Sequence, residues 1–269
     1  MNIVDRNSMY PIKFKPILKK KVWGGNRLDS ILDVESTDKC KYGEAWVVCA
    51  HDNGMATVSN GSLSGKTLEE VLVEYGSAIL GDNNYGEGFG LFPLLIKFLD
   101  IKDKLSVQVH PSAEYASNNN MVSGKFESWY ILDASDDAAI ILGKNNQITD
   151  EDFGIKIRNK NISNLFNIVD VKKGDFIDIN PGLLHGTIKG EILLCEIQQN
   201  SDITYRLYDF DRLYEGKKRD LHLSHLGAVD SSIIPYISSE NNRLVEKVDN
   251  VSLERLTSNS HYSVKFDPC

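Results

Sequence analysis

With 269 residues, of which 41% are hydrophobic and 25% charged, the chain has the composition of an ordinary folded protein and the length for one large β domain, with or without a smaller appendage. Its 30 Lys and Arg against 38 Asp and Glu leave a formal charge of -8, which argues against nucleic acid as a partner, because that binding relies on dense cations neutralising phosphates. A small phosphorylated ligand needs only a few local donors and stays open. No run approaches the length of an apolar membrane span, and the opening MNIVDRNSMYPIKFKPILKKK lacks the apolar core of a leader peptide, so a cytoplasmic protein with no membrane partner is expected. Cys40, Cys49, Cys195 and Cys269 are scattered without a CxxC pair, which fits a reducing compartment and argues against zinc held by cysteines.

In chain order, a basic opening from Lys13 to Lys21 leads into KVWGGNRL, an aromatic anchor beside a Gly-Gly turn, and then into loop and short elements up to Tyr42. From Gly43, GEAWVVCA is apolar and β-branched over strand length and begins a sheet; HDNGMATVSNGS after it reads as turn and short strand. Leu68, Val71, Leu72 and Tyr75 recur at helical spacing with Glu69, Glu70 and Glu74 off the stripe, which predicts a helix in the segment 66–80. The run FPLLIKFLDIKDKLSVQVHP predicts two strands joined by a tight connection at Asp100 to Lys104. Downstream, ESWYILDA, AAIILG, LFNIVDV, GDFIDINPG, LHGTI and EILLCEIQQ are short β-like runs parted by Gly, Asn, Asp or Pro, and ITDEDFGIKIRNK interrupts them as a short helix. Many short strands with turns between them predict a sandwich or barrel of jelly-roll type.

Chemistry concentrates first at Gln108-Val109-His110-Pro111, where strand alternation sends Gln108 and His110 to one face. Lys125 and Glu127 share a face if Lys125-Phe126-Glu127 is extended, and His185 follows a Pro-Gly turn in PGLLHG. Two imidazoles, a carboxylate and an amide oxygen suit Zn²⁺ or a similar first-row ion with a position left for water or substrate. Spacing alone leaves the alternative that His110 and His185 are satisfied strand-end histidines. His51, His222, His225 and His261 are expected to be mostly solvent-facing, and Trp23, Trp46 and Trp129 to pack in the core or at its rim.

Ordered motifs shift that balance. WGG at Trp23 to Gly25, GEAW at Gly43 to Trp46, FPLLIKFLD, LSVQVHPSAEYA, GKFESWYIL, GDFIDINPGLLHGTI and EIQQNSDITYRLYDFDR together resemble the type I mannose-6-phosphate isomerases in their short bacterial form. The resemblance implies a cupin fold, one divalent ion per chain, usually zinc, and Gln108, His110, Glu127 and His185 as its ligands. It also implies an essential arginine at Arg206 in SDITYR, and Glu196 stands at the family's spacing before Ser201 and Asp202. Lys125 and Glu196 are the candidates for proton transfer, with Arg206 holding phosphate or a developing oxyanion. Lys97 and Ser106 rank below these as phosphate contacts.

The expected architecture is therefore mainly β: a cupin-type jelly roll over residues 1–220, with a small helical insertion, and a C-terminal β segment over 221–269 that is short relative to the family. The implied activity is interconversion of mannose 6-phosphate and fructose 6-phosphate through an enediol. The alternative is a non-catalytic cupin module that binds metal and sugar phosphate. A metal oxygenase on the same scaffold is disfavoured by the WGG, K-x-E and YR elements. A small sugar phosphate is the expected partner, and the chain is expected to be a monomer or weak homo-oligomer.

Overall fold

The computed structural model describes residues 10–34, 41–80, 92–119, 124–238, 245–248, 251–255 and 262–266, the last three as strand backbone. The chain forms two compact units, one made of Pro16–Val48 with Leu94–Ser239 and the other of Met1–Lys15, Cys49–Pro93 and Glu240–Cys269.

The larger unit is built on two antiparallel sheets, in keeping with the cupin-type β architecture. In the seven-stranded sheet, Tyr236–Ser238, Phe176–Ile179, Glu127–Ala134, Ile192–Gln199 and Leu94–Ile101 lie side by side, and Ile17–Gly25 and Tyr42–Val48 pair with each other and with Leu94–Ile101. The five-stranded sheet runs Phe166–Asp170, Ala139–Lys144, His185–Lys189, Val107–Val109 and Tyr205–Tyr208. The two strands expected around Asp100 to Lys104 both form, but they belong to different sheets: Leu94–Ile101 lies in the larger one and Val107–Val109 in the smaller. Their connection therefore carries the chain from one layer to the other instead of closing a hairpin.

Alternation along these strands sorts their side chains. Ile140 and Leu142 join Trp129, Ile131, Ile177, Ile192 and Leu194 in a core drawn from both sheets, whereas Ile141 turns the other way, to Val107, Val109, Tyr205 and Leu207. That second cluster is covered by Phe153 and Ile157 of the helix Asp150–Arg158. Thr149 starts this helix by accepting the Asp152 N–H, with three acidic residues in the first turn and Lys156 and Arg158 in the last, which complements the helix dipole at both ends. Each of the large core side chains is expected to contribute about 1.5–3 kcal/mol by leaving water.

The smaller unit pairs Phe14–Lys15 with Thr57–Val58 and carries the expected helix as Leu68–Leu80. Leu68, Val71, Leu72, Gly76 and Leu80 form its buried face, so the helical stripe continues past Tyr75. Beyond residue 220, the strands Val245–Val248, Val251–Arg255 and Tyr262–Phe266 form a three-stranded antiparallel sheet. Among the described residues no helix is long and apolar enough to cross a membrane.

Candidate metal centre and its surroundings

Two strand registers assemble the centre. Leu142, His185, Gln108 and Arg206 stand opposite one another on neighbouring strands of the five-stranded sheet. In the seven-stranded sheet Glu127 stands between Ile179 and Gln198, and two residues along, Trp129, Glu196, Lys97 and Trp46 form the next row. Directly opposed residues, and residues two apart on a strand, share a face. The first row meets the second at Glu127, whose carboxylate lies 3.0 Å from His110 Nε2 and 3.4 Å from His185 Nε2.

The turn before His185 has a physical requirement for its glycines. Gly182 has φ +93°, a conformation that side-chain-bearing residues rarely adopt. A Cβ on Gly186 would lie 2.8 Å from the Ser106 carbonyl oxygen, so the strand starting at His185 can approach Val107–Val109 only without one. PGLLHG is thus the segment that delivers His185 into the row containing Gln108.

His110, Glu127 and His185 are all buried, and one ligand atom from each lies within 4.8 Å of the others. The Nδ1–H of His110 donates to the Ile203 carbonyl at 2.8 Å and that of His185 to the Leu183 carbonyl at 2.9 Å. A carbonyl only accepts, so each ring keeps its proton on Nδ1 and turns the Nε2 lone pair toward Glu127. Burial, with the Lys125 ammonium nearby, pushes His110 down to about 4, and burial lowers His185 as well. Both rings are neutral at physiological pH.

Burial by itself would raise Glu127, but the Lys125 ammonium beside it holds it well below the ordinary carboxylate range. Lys125 Nζ stands 2.7 Å from Glu127 Oε2 and 3.3 Å from His110 Nε2. Neither oxygen of this fully buried carboxylate accepts a directed hydrogen bond among the described residues. The Lys125 ammonium meets Oε2 alone, so a further cation between the carboxylate and the two rings would stabilise its buried charge. Lone pairs of two neutral imidazoles aimed at a charged, otherwise undirected carboxylate are a donor set that a divalent ion fits. Gln108 completes the cluster: its Nε2 lies 3.2 Å from His185 Nε2 while its Oε1 accepts from Ser106 Oγ at 3.2 Å. Turning that amide over would present oxygen at the same place.

Lys97 and Glu196 lie in the adjoining row, both buried, and they are bound to each other. Lys97 Nζ donates to Glu196 Oε1 at 2.9 Å and to Gln198 Oε1 at 2.5 Å, and the Trp129 indole N–H donates to Glu196 Oε2 at 3.1 Å. Burial alone would lower Lys97, but Glu196 and Glu44 raise it above its ordinary value. Trp129 also packs edge-on against His185, with ring centroids 5.6 Å apart. The sequence signal for this burial was the position of Lys97 inside LLIKFLD.

Arg206 is half-buried beside Gln108, and its Nε is buried without a hydrogen-bond partner among the described residues. Further arginines are gathered close by on Asp209: Arg212 Nη2 lies 2.6 Å from Asp209 Oδ1, and Arg219 Nε donates to Oδ2 at 2.8 Å. Motif reading passed over this group. The expectation for the remaining histidines needs correction at three of them, His51, His222 and His225, all half-buried: His222 Nδ1 accepts the Arg206 N–H at 3.0 Å, and His225 stacks on Tyr205 at 4.0 Å. These contacts link residues far apart in sequence and leave no local pattern. His51 is likewise half-buried, its Nδ1 accepting the Asn53 N–H, and His261 lies outside the described residues.

The profile of phosphomannose isomerase type I, catalytic domain, matches residues 12–133. Mannose-6-phosphate isomerase ManA of Bacillus subtilis is 40% identical over 94% of this chain and 78% of its own length. A mannose-6-phosphate isomerase of Streptococcus mutans is 38% identical over 79% of the chain and 65% of its own length. The crystal structure of the mannose 6-phosphate isomerase from Bacillus subtilis superposes with a TM-score of 0.77 at 33% identity, covering 96% of this chain and 81% of that one. With the profile lying over the strands that bring Gln108, His110 and Glu127 together, and with relatives this similar along nearly the whole chain, the protein belongs to the type I phosphomannose isomerase family.

Proposed function

We propose that this chain is a metal-dependent aldose-ketose isomerase that interconverts mannose 6-phosphate and fructose 6-phosphate. The observation that carries the reading is the buried Glu127 carboxylate, without a directed hydrogen bond among the described residues and faced by the Nε2 atoms of two neutral histidines, in a chain of this family. Gln108, His110, Glu127 and His185 would hold the ion, and their N/O donor set suits zinc or a similar first-row metal. When bound, such an ion polarises a carbonyl and stabilises developing oxyanion charge.

The chain's own residues account for the other requirements. Isomerisation moves a proton between adjacent carbons through a cis-enediol, so a proton-transfer side chain must lie next to the reacting carbons. Lys125 and Glu196 are the two candidates. The geometry favours Lys125, whose Nζ already lies among the ligand side chains. Both Glu196 oxygens are engaged by Lys97 and Trp129, which suits Glu196 to holding Lys97 in place. Arg206, whose buried Nε has no hydrogen-bond partner among the described residues, is the group to hold the phosphate or the developing oxyanion.

The test is conversion of mannose 6-phosphate by the purified chain before and after chelation, with zinc added back. Activity lost on chelation and restored by zinc is the expected result; a folded, zinc-loaded protein without turnover would leave only a binding module. Lys125→Met is expected to lower kcat about 100-fold or more, the usual range for removing a proton-transfer group. A variant with unchanged kcat and only a raised KM would remove Lys125 from that role.

A further inference from the structure

Tyr205–Tyr208 is an edge strand: among the described residues it pairs within its sheet only with Val107–Val109. An edge strand presents unpaired N–H and C=O groups on its open side, and at Arg206 those groups are both taken by one residue. The Arg206 N–H donates to His222 Nδ1 at 3.0 Å, and the His222 N–H donates to the Arg206 carbonyl at 2.7 Å. Arg206 Nη1 donates to the Asp220 carbonyl at 3.1 Å, two residues earlier on the same segment. Main chain and guanidinium of Arg206 are therefore gripped together by residues 220–222. Since its outward groups go to His222, its pairing with Gln108 is of the non-hydrogen-bonded kind, in which opposed side chains lie closest.

The segment is itself anchored. His225, in the 3-10 turn Leu223–Ala228, stacks on Tyr205 with ring planes 7° apart, and its Nδ1 lies 3.1 Å from the Tyr115 hydroxyl. The Tyr205 ring also faces His222 edge-on at 6.2 Å.

We infer that His222 is a positioning residue for Arg206, acting as a one-residue substitute for a neighbouring strand and doing so only while its Nδ1 is unprotonated. This rests on the proposed role of Arg206. The inference follows from the direction of one hydrogen bond: a backbone N–H only donates, so Nδ1 must accept, and a protonated imidazole has no acceptor left. The charged and titratable groups around His222 are Arg206, His225, Asp220 and Tyr205. Burial, then Arg206 and His225, lower its proton affinity, and Asp220 opposes them. The sign follows: a histidine whose folded-state value is depressed keeps its neutral-form contacts in full above the free value near 6.5 and loses them as pH falls through the lower folded value.

Three variants test this on the zinc-loaded protein, with thermal melts run alongside. His222→Ala is expected to lower kcat/KM about tenfold at pH 7.5, the worth of one lost hydrogen bond at a positioned group. His222→Asn keeps an acceptor oxygen close to the place of Nδ1 and does not titrate. It is expected to recover activity to within about threefold of wild type and to hold that activity further into acid than wild type does. Arg206→Ala reports on the group being positioned. Wild-type activity and an unchanged acid limb in both His222 variants, with Arg206→Ala inactive, would overturn the inference and leave Arg206 standing. Full activity in Arg206→Ala would overturn the reading on which the inference rests. If His222→Ala does not fold, the acid limbs of wild type and His222→Asn decide the matter.

Discussion

Glu127→Gln is expected to lower kcat/KM on the order of 1,000-fold, because a polarising cation is worth several kcal/mol of transition-state stabilisation and each 1.36 kcal/mol is a factor of ten. The change keeps the shape of the side chain and removes its charge. Among the described residues no other carboxylate belongs to the cluster, so the donor set loses its only anion. It also leaves Lys125, whose side chain is 4% exposed, without its counter-charge. Bound zinc should therefore fall well below one ion per chain on dialysis, and the loss of activity should follow the loss of metal. A Glu127→Gln protein that keeps stoichiometric zinc and normal turnover would refute the assignment of Glu127 as a ligand.

Lys97→Met is expected to cost about 3–5 kcal/mol of folding stability, measured by urea denaturation, as usually follows from removing one partner of a buried ion pair. Methionine preserves most of the stem's volume, so the loss reports the charge. Glu196 would keep only the Trp129 indole on its carboxylate, in a site where it is 5% exposed. The double change Lys97→Met with Glu196→Gln should recover much of the loss, because no uncompensated buried charge then remains. Lys97 is raised above its ordinary value by Glu196 and Glu44. Its contribution is thus complete at every pH below the free-lysine value and lost only as pH climbs through the higher folded value. A Lys97→Met protein within 1 kcal/mol of wild type would show the pair to be energetically idle.

The sequence carried most of the fold and part of the site, and the boundary between them is physical. Strand alternation is local, so the common face of Gln108 and His110 and the β character of the downstream runs are readable from neighbours two apart. The helix Asp150–Arg158 is readable because Thr149, its acidic first turn and its basic last turn lie within it. The likeness of ordered motifs from Trp23 to Arg212 named the family, and with it the residue types of the centre. What local pattern could not supply is where the strands go: that Leu94–Ile101 and Val107–Val109 part into different sheets, and that Glu127 thereby meets His110 and His185 across the core.

Three particulars were decided by tertiary structure alone. Glu196 and Lys97 are partners because two strands far apart in sequence are neighbours in one sheet, Glu196 opposite Lys97. His222, expected to face water, instead completes the open edge beside Arg206. The tautomer of His110 is set by the carbonyl of Ile203, which only the folded chain brings within reach. Residue types and their order determined which chemistry this protein can hold. Their directions, charges and partners came from long-range burial, since a buried polar group takes whichever partner the fold leaves next to it and sequence separation has no bearing on that choice.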